Sequence, residues 1–429
     1  MKKVIYPEKE QWESLLRRPT QTVADIEATV NDIFLDVKEH GDAAVAKYTQ
    51  LFDGVEIDQL QTVPEEVATA VKRVPEELKA AIQLAKKNIE SFHAAQKRSK
   101  VEVETMPGVL CWQEQRPIEK VGLYIPGGSA PLFSTILMLA VPATIAGCKE
   151  VYLCTPPDKN GNINPAILYT AQLCGINRIY KVGGIQAIAA MTFGTASIPK
   201  AYKLFGPGNQ FVTVAKQIAT KHGVAIDMPA GPSELLVYAD DTANASFVAS
   251  DLLSQAEHGA DSQVILVTTS EVMLTAVEAQ IALQLQGLPR KDIVSKAIQN
   301  SKLIVVKDEL EALNLINAYG PEHFIVVSKN ENLFVDGIVN AGSVFIGNYT
   351  PESAGDYASG TNHTLPTNGY AKQYSGVNLA SFMKSVTFQK ITKEGIVAMG
   401  GTIEIMAEAE GLMAHKNAVS LRLKELKDE

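Results

Sequence analysis

A chain of 429 residues with 46% hydrophobic and 20% charged side chains has an ordinary globular composition, with room for two or three cores. Its net charge of −9 is spread along the chain, and no Lys/Arg-rich run is interleaved with aromatics, which argues against a nucleic-acid surface. The N-terminus MKKVIYPEKEQWES lacks the apolar core of a secretory signal, and the most apolar stretch, Ile136 to Cys148, is too short to span a bilayer. The expected location is therefore the cytoplasm.

From Thr22, the sequence TVADIEATVNDIFLDVKEHGD places Val23, Ile26, Val30, Ile33, Phe34 and Val37 at three- and four-residue spacing. This predicts an amphipathic helix stopped near Gly41. Pro64-Glu65-Glu66 and Pro75-Glu76-Glu77 read as first helical turns, the second opening a helix that runs to about Lys97. Residues 1 to 100 are expected to be mainly helical. Beyond Met106-Pro107-Gly108, VLCWQEQRPIEKVGLYIPGG reads as strands and turns, and Ser134 to Gly147 as a helix. Strand-like EVYLCTP, RIYKVGG, AYKLFGPG and VAIDM then alternate with helical PAILYTAQLCG, IQAIAAMTFG and NQFVTVAKQIATKHG. A second alternation runs from ELLVYAD through QVILVTT, KLIVVKD and HFIVVS to SVFIG. This order implies an α/β fold with parallel, doubly wound sheets covered by helices on both faces, in two halves joined near Pro229 to Pro232. After about Tyr374 come NLASFMK, strand-like VTFQKI and a closing helix with His415. That tail is too short for its own core and is expected to dock elsewhere, a second subunit being one candidate.

The stretch after SVFI, Gly347 to Thr367 (GNYTPESAGDYASGTNHTLPT), has almost no aliphatic bulk and contains Glu352, Asp356 and His363. A loop this long in a compact chain is functional or disordered, and its two tyrosines and apolar flanks favour the first. Gln255 and His258, at the end of the helix after ELLVYAD, are three apart and so share a helix face. They read either as metal ligands or as a solvated helix end. Glu322 and His323, in GPEHF at the mouth of a strand, read either as a proton-transfer pair or as a polar turn. Glu410 and His415 singly read as surface helix. Taken together, Gln255, His258, Asp356 and His415 make the N/O donor set that zinc or a related divalent ion accepts. Glycine turns at Gly122 to Gly128, Gly183-Gly184 and Gly206-Pro207-Gly208 fit a nucleotide across a sheet edge, and equally fit ordinary tight turns; no GxGxxG is present. The four cysteines, Cys111, Cys148, Cys154 and Cys174, neighbour aliphatic residues without metal-type spacing, and read as buried hydrophobes rather than catalytic thiols.

The segments VGLYIPGGSAPLFSTILMLAVPATIAGC, GGIQAIAA, FGPGNQFV, MPAGPSELLV, SQAEHG, GPEHF, the loop from Asn348 to Gly369 and EGLMAHKNAV follow one another over about residues 115 to 420. In that order they resemble the histidinol dehydrogenase family, zinc enzymes of the last steps of histidine biosynthesis. The resemblance implies two Rossmann-like, aldehyde-dehydrogenase-like α/β domains: an NAD-binding domain over 121–232 and a zinc and substrate domain over 233–375. Residues 1–120 would form a helical region packing on the second domain, and 376–429 a swapped dimerisation tail. It further implies one zinc per subunit on Gln255, His258, Asp356 and His415, the last from the partner subunit of a homodimer. Glu322 and His323 would be the acid–base pair. Ser233, His363 and Glu410, also across the interface, would join His323 and the zinc ligands around L-histidinol, and Tyr124, Gln186 and Asn209 would contact NAD. The implied reaction is L-histidinol to L-histidine through L-histidinal with two NAD. A zinc hydrolase using Glu322, a metal-binding protein without turnover, and a related dehydrogenase for another amino alcohol are the competing readings. Ser233, His363 and Glu410 argue against the last.

Overall fold

Apolar runs that alternate with amphipathic helices become two parallel sheets within one unit of the chain. The computed structural model describes residues 1–19, 23–127 and 131–428. Thr22, the expected start of the first helix, and Gly128 of the first glycine turn lie outside the described residues, as does the side chain of Val23. Contacts divide the chain into Met1–Gln96 with Ile118–Phe382, and Lys97–Pro117 with Met383–Glu429.

In chain order the strands begin with β1 (Lys2–Ile5), β2 (Val101–Met106), β3 (Val109–Pro117), β4 (Lys120–Tyr124) and β5 (Glu150–Thr155). Next come β6 (Ile179–Lys181), β7 (Lys203–Phe205), β8 (Ala225–Ile226), β9 (Glu234–Ala239) and β10 (Gln263–Thr268). The last four are β11 (Lys302–Val305), β12 (His323–Val327), β13 (Ser343–Ile346) and β14 (Met383–Ile391). One parallel sheet has the order β6-β5-β4-β7-β8, the other β1-β11-β10-β9-β12-β13. Strands β9, β10 and β12 are buried along their whole length, which is why they read as unbroken apolar runs rather than alternating ones. The doubly wound α/β expectation therefore holds. Among the described residues, no helix is long and apolar enough to cross a membrane.

The N-terminal region departs from expectation in two respects. Lys2–Ile5 is an edge strand paired parallel to β11, and its four residues were too few to carry a period. Trp12, Leu15 and Leu16 pack on the six-stranded half. Ile26, Val30, Ile33, Phe34 and Val37 instead share the core of the five-stranded half with Ile185, Ile188 and Met191. The region is thus spread over both halves, whereas packing on the second was expected.

In the other unit, β2, β3 and β14 form an antiparallel sheet, with Trp112 stacked on Phe388 across it. The tail carries two helices, Lys393–Ala409 and Met413–Asp428, where one was expected. Leu423 packs over Gly400, where a side chain would not fit.

Candidate active site

The strand order reverses between β4 and β7 in one parallel sheet and between β9 and β12 in the other. Ligands in such folds usually gather at the carboxyl ends of the strands flanking that point. The five-stranded sheet follows the rule. A cavity of about 980 Å³ lies beyond β4, lined by Tyr124, Pro126, Gly127, Gly184, Asn209 and Asp53 among others. Gly206, after β7, has φ +139°, and a Cβ there would strike the Tyr124 carbonyl oxygen, so the tight turn at this edge requires glycine. Asn209 caps the Gln210–Lys221 helix by accepting the Val212 N–H at 3.1 Å. The Tyr124 hydroxyl accepts the Gly184 N–H at 3.1 Å, and burial pushes it up to about 12. Gln186 lies beneath the wall, fully buried, with neither amide atom partnered.

The six-stranded sheet places its chemistry at the opposite edge, where β9 and β12 begin. A second cavity, about 330 Å³, is lined by Ser233, Gln255, His258, Glu322, His323, Asp356 and His363. Pro126 and Asn209 line both cavities, which therefore adjoin. Pairing of β12 with β9 sets His323 beside Leu235. Glu322 is 6% exposed and accepts the Glu234 N–H at 2.8 Å. Glu234 is gripped by Arg18 through two bonds of 2.6 and 2.8 Å, with the guanidinium 3.8 Å from the centre of the Tyr319 ring. An N-terminal residue thus anchors the floor of the site.

His323 is 3% exposed. Its Nδ1 lies 3.2 Å from the Glu234 carbonyl oxygen and 3.6 Å from Glu322 Oε2, and its Nε2 lies 3.6 Å from Asp356 Oδ1 with no hydrogen-bond partner. Burial alone would lower its pKa, but the Glu322 and Glu352 carboxylates outweigh that and hold it well above the usual imidazole range. Asp356 is held low despite burial, chiefly by His323. His363 donates or accepts at 3.0 Å with Thr135 Oγ1 and lies 2.8 Å from the Asp356 carbonyl; burial lowers its pKa.

Two expectations change. The helix after β9 is Ala245–Ala256, so Gln255 is in its last turn and His258 lies past its end; they do not share a helix face. The stretch expected as a loop contains a short helix, Glu352–Tyr357, which brings Glu352 and Asp356, four residues apart, to one side. Donor atoms of His258, Glu352 and Asp356 lie within 4.8 Å of one another. The Gln255 amide is set between the Glu234 N–H and the Glu352 carboxylate. With its nitrogen toward Glu352 it donates there, and its oxygen accepts from Glu234 N at 3.1 Å. Turned the other way, two acceptors face each other unless a proton on Glu352 or a cation lies between them. These residues could hold a divalent metal ion. Glu410 and His415 are exposed in the other unit, outside this cluster.

The family model described as histidinol dehydrogenase matches residues 16–423. The chain belongs to the histidinol dehydrogenase family. A histidinol dehydrogenase of Bacteroides fragilis is 58% identical over 427 residues, covering all of both chains. That of Escherichia coli K12 is 54% identical over 423 residues, covering 98% of this chain and 96% of its own. A crystal structure of histidinol dehydrogenase from Elizabethkingia anophelis superimposes with a TM-score of 0.97 at 58% identity, over 100% of this chain and 99% of that one. Within a histidinol dehydrogenase framework, one buried and one half-buried acid had no assigned role in the sequence. Glu352 is 1% exposed, and burial holds its carboxyl well above the usual range. Asp251, four residues before Gln255, is raised to about 7 by burial. The four-residue spacings, Asp251 to Gln255 and Glu352 to Asp356, were the available signals.

Proposed function

We propose that the chain oxidises L-histidinol to L-histidine through L-histidinal in the cytoplasm, using zinc and two NAD, as the last steps of histidine biosynthesis. The observation that carries this reading is the convergence of Glu322, His323, Gln255, His258, Asp356 and His363 on one cavity that adjoins a second of dinucleotide size. Zinc would be held by Gln255, His258, Asp356 and His415 of the partner subunit in a homodimer. When bound, the ion supplies a template that orients the imidazole and amine of the substrate. NAD would lie against Tyr124, Gln186 and Asn209, and supplies the hydride acceptor. The unpartnered amide of the buried Gln186 supports a polar ligand at that wall.

The chain's own residues then move protons. With Nδ1 turned to the Glu234 carbonyl, the neutral form of His323 presents Nε2 to take the hydroxyl proton as the carbinol carbon is oxidised. Glu322, fixed at one oxygen by the Glu234 N–H, activates water for attack on the aldehyde carbon. The hydrate so formed gives its hydroxyl proton to His323, which has by then released its first proton to solvent, in the second oxidation. Ser233 and His363, with Glu410 of the partner subunit, position the substrate. This route needs no thiol nucleophile. Burial raises Cys148 to about 11 and Cys174 to about 12, and holds Cys154 higher still, and no cysteine lines either cavity. A dinucleotide-sized cavity beside the site also weighs against a hydrolase. The test is NADH formation by the purified protein with L-histidinol compared with an amino alcohol lacking the imidazole. Comparable turnover of both would defeat the assignment of substrate.

A further inference from the structure

We propose that the buried Lys216–Asp227 ion pair is a positioning device for the reaction, fixing the wall that the two cavities share. The inference rests on the cofactor and substrate reading above and adds to it two residues that line neither cavity.

Asp227 directly follows β8, and Gly206 directly follows β7, its parallel neighbour. The Lys216 and Asp227 side chains are 3% and 0% exposed and form an ion pair. Between them they engage both backbone groups of Gly206. Asp227 Oδ2 accepts its N–H at 2.8 Å, and Lys216 Nζ donates to its carbonyl oxygen at 2.8 Å. Asp227 Oδ1, which faces Lys216, also accepts the Met228 N–H at 2.7 Å. One carboxylate thus holds the start of the turn Gly206 to Asn209 and the start of the linker Met228 to Pro232.

Those two segments build the shared wall. Pro207, Gly208 and Asn209 line the smaller cavity, and Asn209 lines the larger one too. The linker delivers Gly231, Pro232 and Ser233 to the smaller cavity. Asn209 caps the helix that carries Lys216, so turn, helix and linker are tied at one point.

Stability alone explains the pair poorly. Desolvation of two buried charges offsets most of their attraction, and a neutral pair of similar volume often holds a fold as well. What the charges add is direction, through strong bonds to both sides of one residue. Gly206, at φ +139°, lacks the side-chain sterics that would fix its own conformation, and the pair supplies that constraint. Asn209 and Ser233 are the proposed cofactor and substrate contacts on these segments, so the pair sets how the two ligands meet. Misplacement by about 1 Å costs roughly 100-fold in such a step.

The test uses the full-length, zinc-loaded protein with NAD and L-histidinol, with NADH binding followed separately by fluorescence. The double variant Lys216→Met with Asp227→Asn strands no charge and should melt within about 5 °C of the parent. Its KM for NAD should rise at least about 10-fold, and its kcat at saturating NAD should fall about 10- to 100-fold. NADH should bind it about 10-fold more weakly. Asp227→Asn alone still accepts one backbone N–H, and the unpaired Lys216 can shed its proton. It should shift KM and kcat in the same direction by smaller factors, and it carries the test if the double variant does not fold. Parent-like KM and kcat in a folded variant, whatever its melting temperature, would overturn the positioning role. Failure of the parent itself to bind NADH would overturn the cofactor reading and this inference together.

Discussion

The Glu322 carboxylate accepts the backbone N–H of Glu234 at 2.8 Å, so the proposed water-activating acid is held by the first residue of the neighbouring strand. Replacing it with glutamine keeps the shape and removes the basicity. Glu322→Gln is expected to slow the aldehyde step by at least about 100-fold and the alcohol step much less. Rapid-quench measurement of histidinal and histidine checks this, and histidine formation at the parent rate would rule out water activation by Glu322.

Arg18 lies more than two hundred residues from Glu234 in sequence yet forms its bidentate partner, the two side chains being 13% and 2% exposed. Arg18→Met strands a buried carboxylate and is expected to cost about 3 kcal/mol. Calorimetric unfolding measures the loss, and KM for histidinol should rise as the start of β9 shifts. An unchanged melting temperature would show that the pair is not needed for stability.

Much of the fold was legible in the sequence because burial imposes simple patterns. The runs ELLVYA, QVILVT and HFIVV are apolar throughout because their strands are covered on both faces. Glycine turns ended β4 and β7 where the expected nucleotide cavity lies. The arrangement of the second cavity was less legible. Glu322 and His323 stand at the start of a strand, and only the reversal of strand order between β9 and β12 brings them to Ser233 and Gln255. Arg18 gave no signal, since a lone arginine has no period. Glu352 was visible only as polar loop composition, because a six-residue helix is too short to show a stripe.

Asp53 lines the larger cavity, has an unpartnered buried oxygen, and is raised to about 6 by burial. A carboxylate whose folded pKa exceeds its unfolded value, near 3.8, favours folding below that lower value. It loses the contribution as pH rises through about 6. Asp53→Asn should therefore raise the melting temperature relative to the parent at pH about 8 and not at pH about 4. Equal differences at both pH values would contradict the shift.

Gly206 combines φ +139° with a carbonyl where a side chain would go. Gly206→Ala is expected to push the turn away from Tyr124 and weaken NAD binding at least about 10-fold, with strain of about 1–3 kcal/mol. Fluorescence titration with NADH measures this, and parent-like affinity would separate the turn from the cofactor.

The proposed reaction is a four-electron oxidation carried out in one site. It is tested most directly by counting NADH formed per histidine produced when zinc-loaded protein exhausts a limiting amount of L-histidinol. The expected ratio is about two, from two successive two-electron oxidations. A ratio of one with the aldehyde as end product, or no NADH at all, would contradict it.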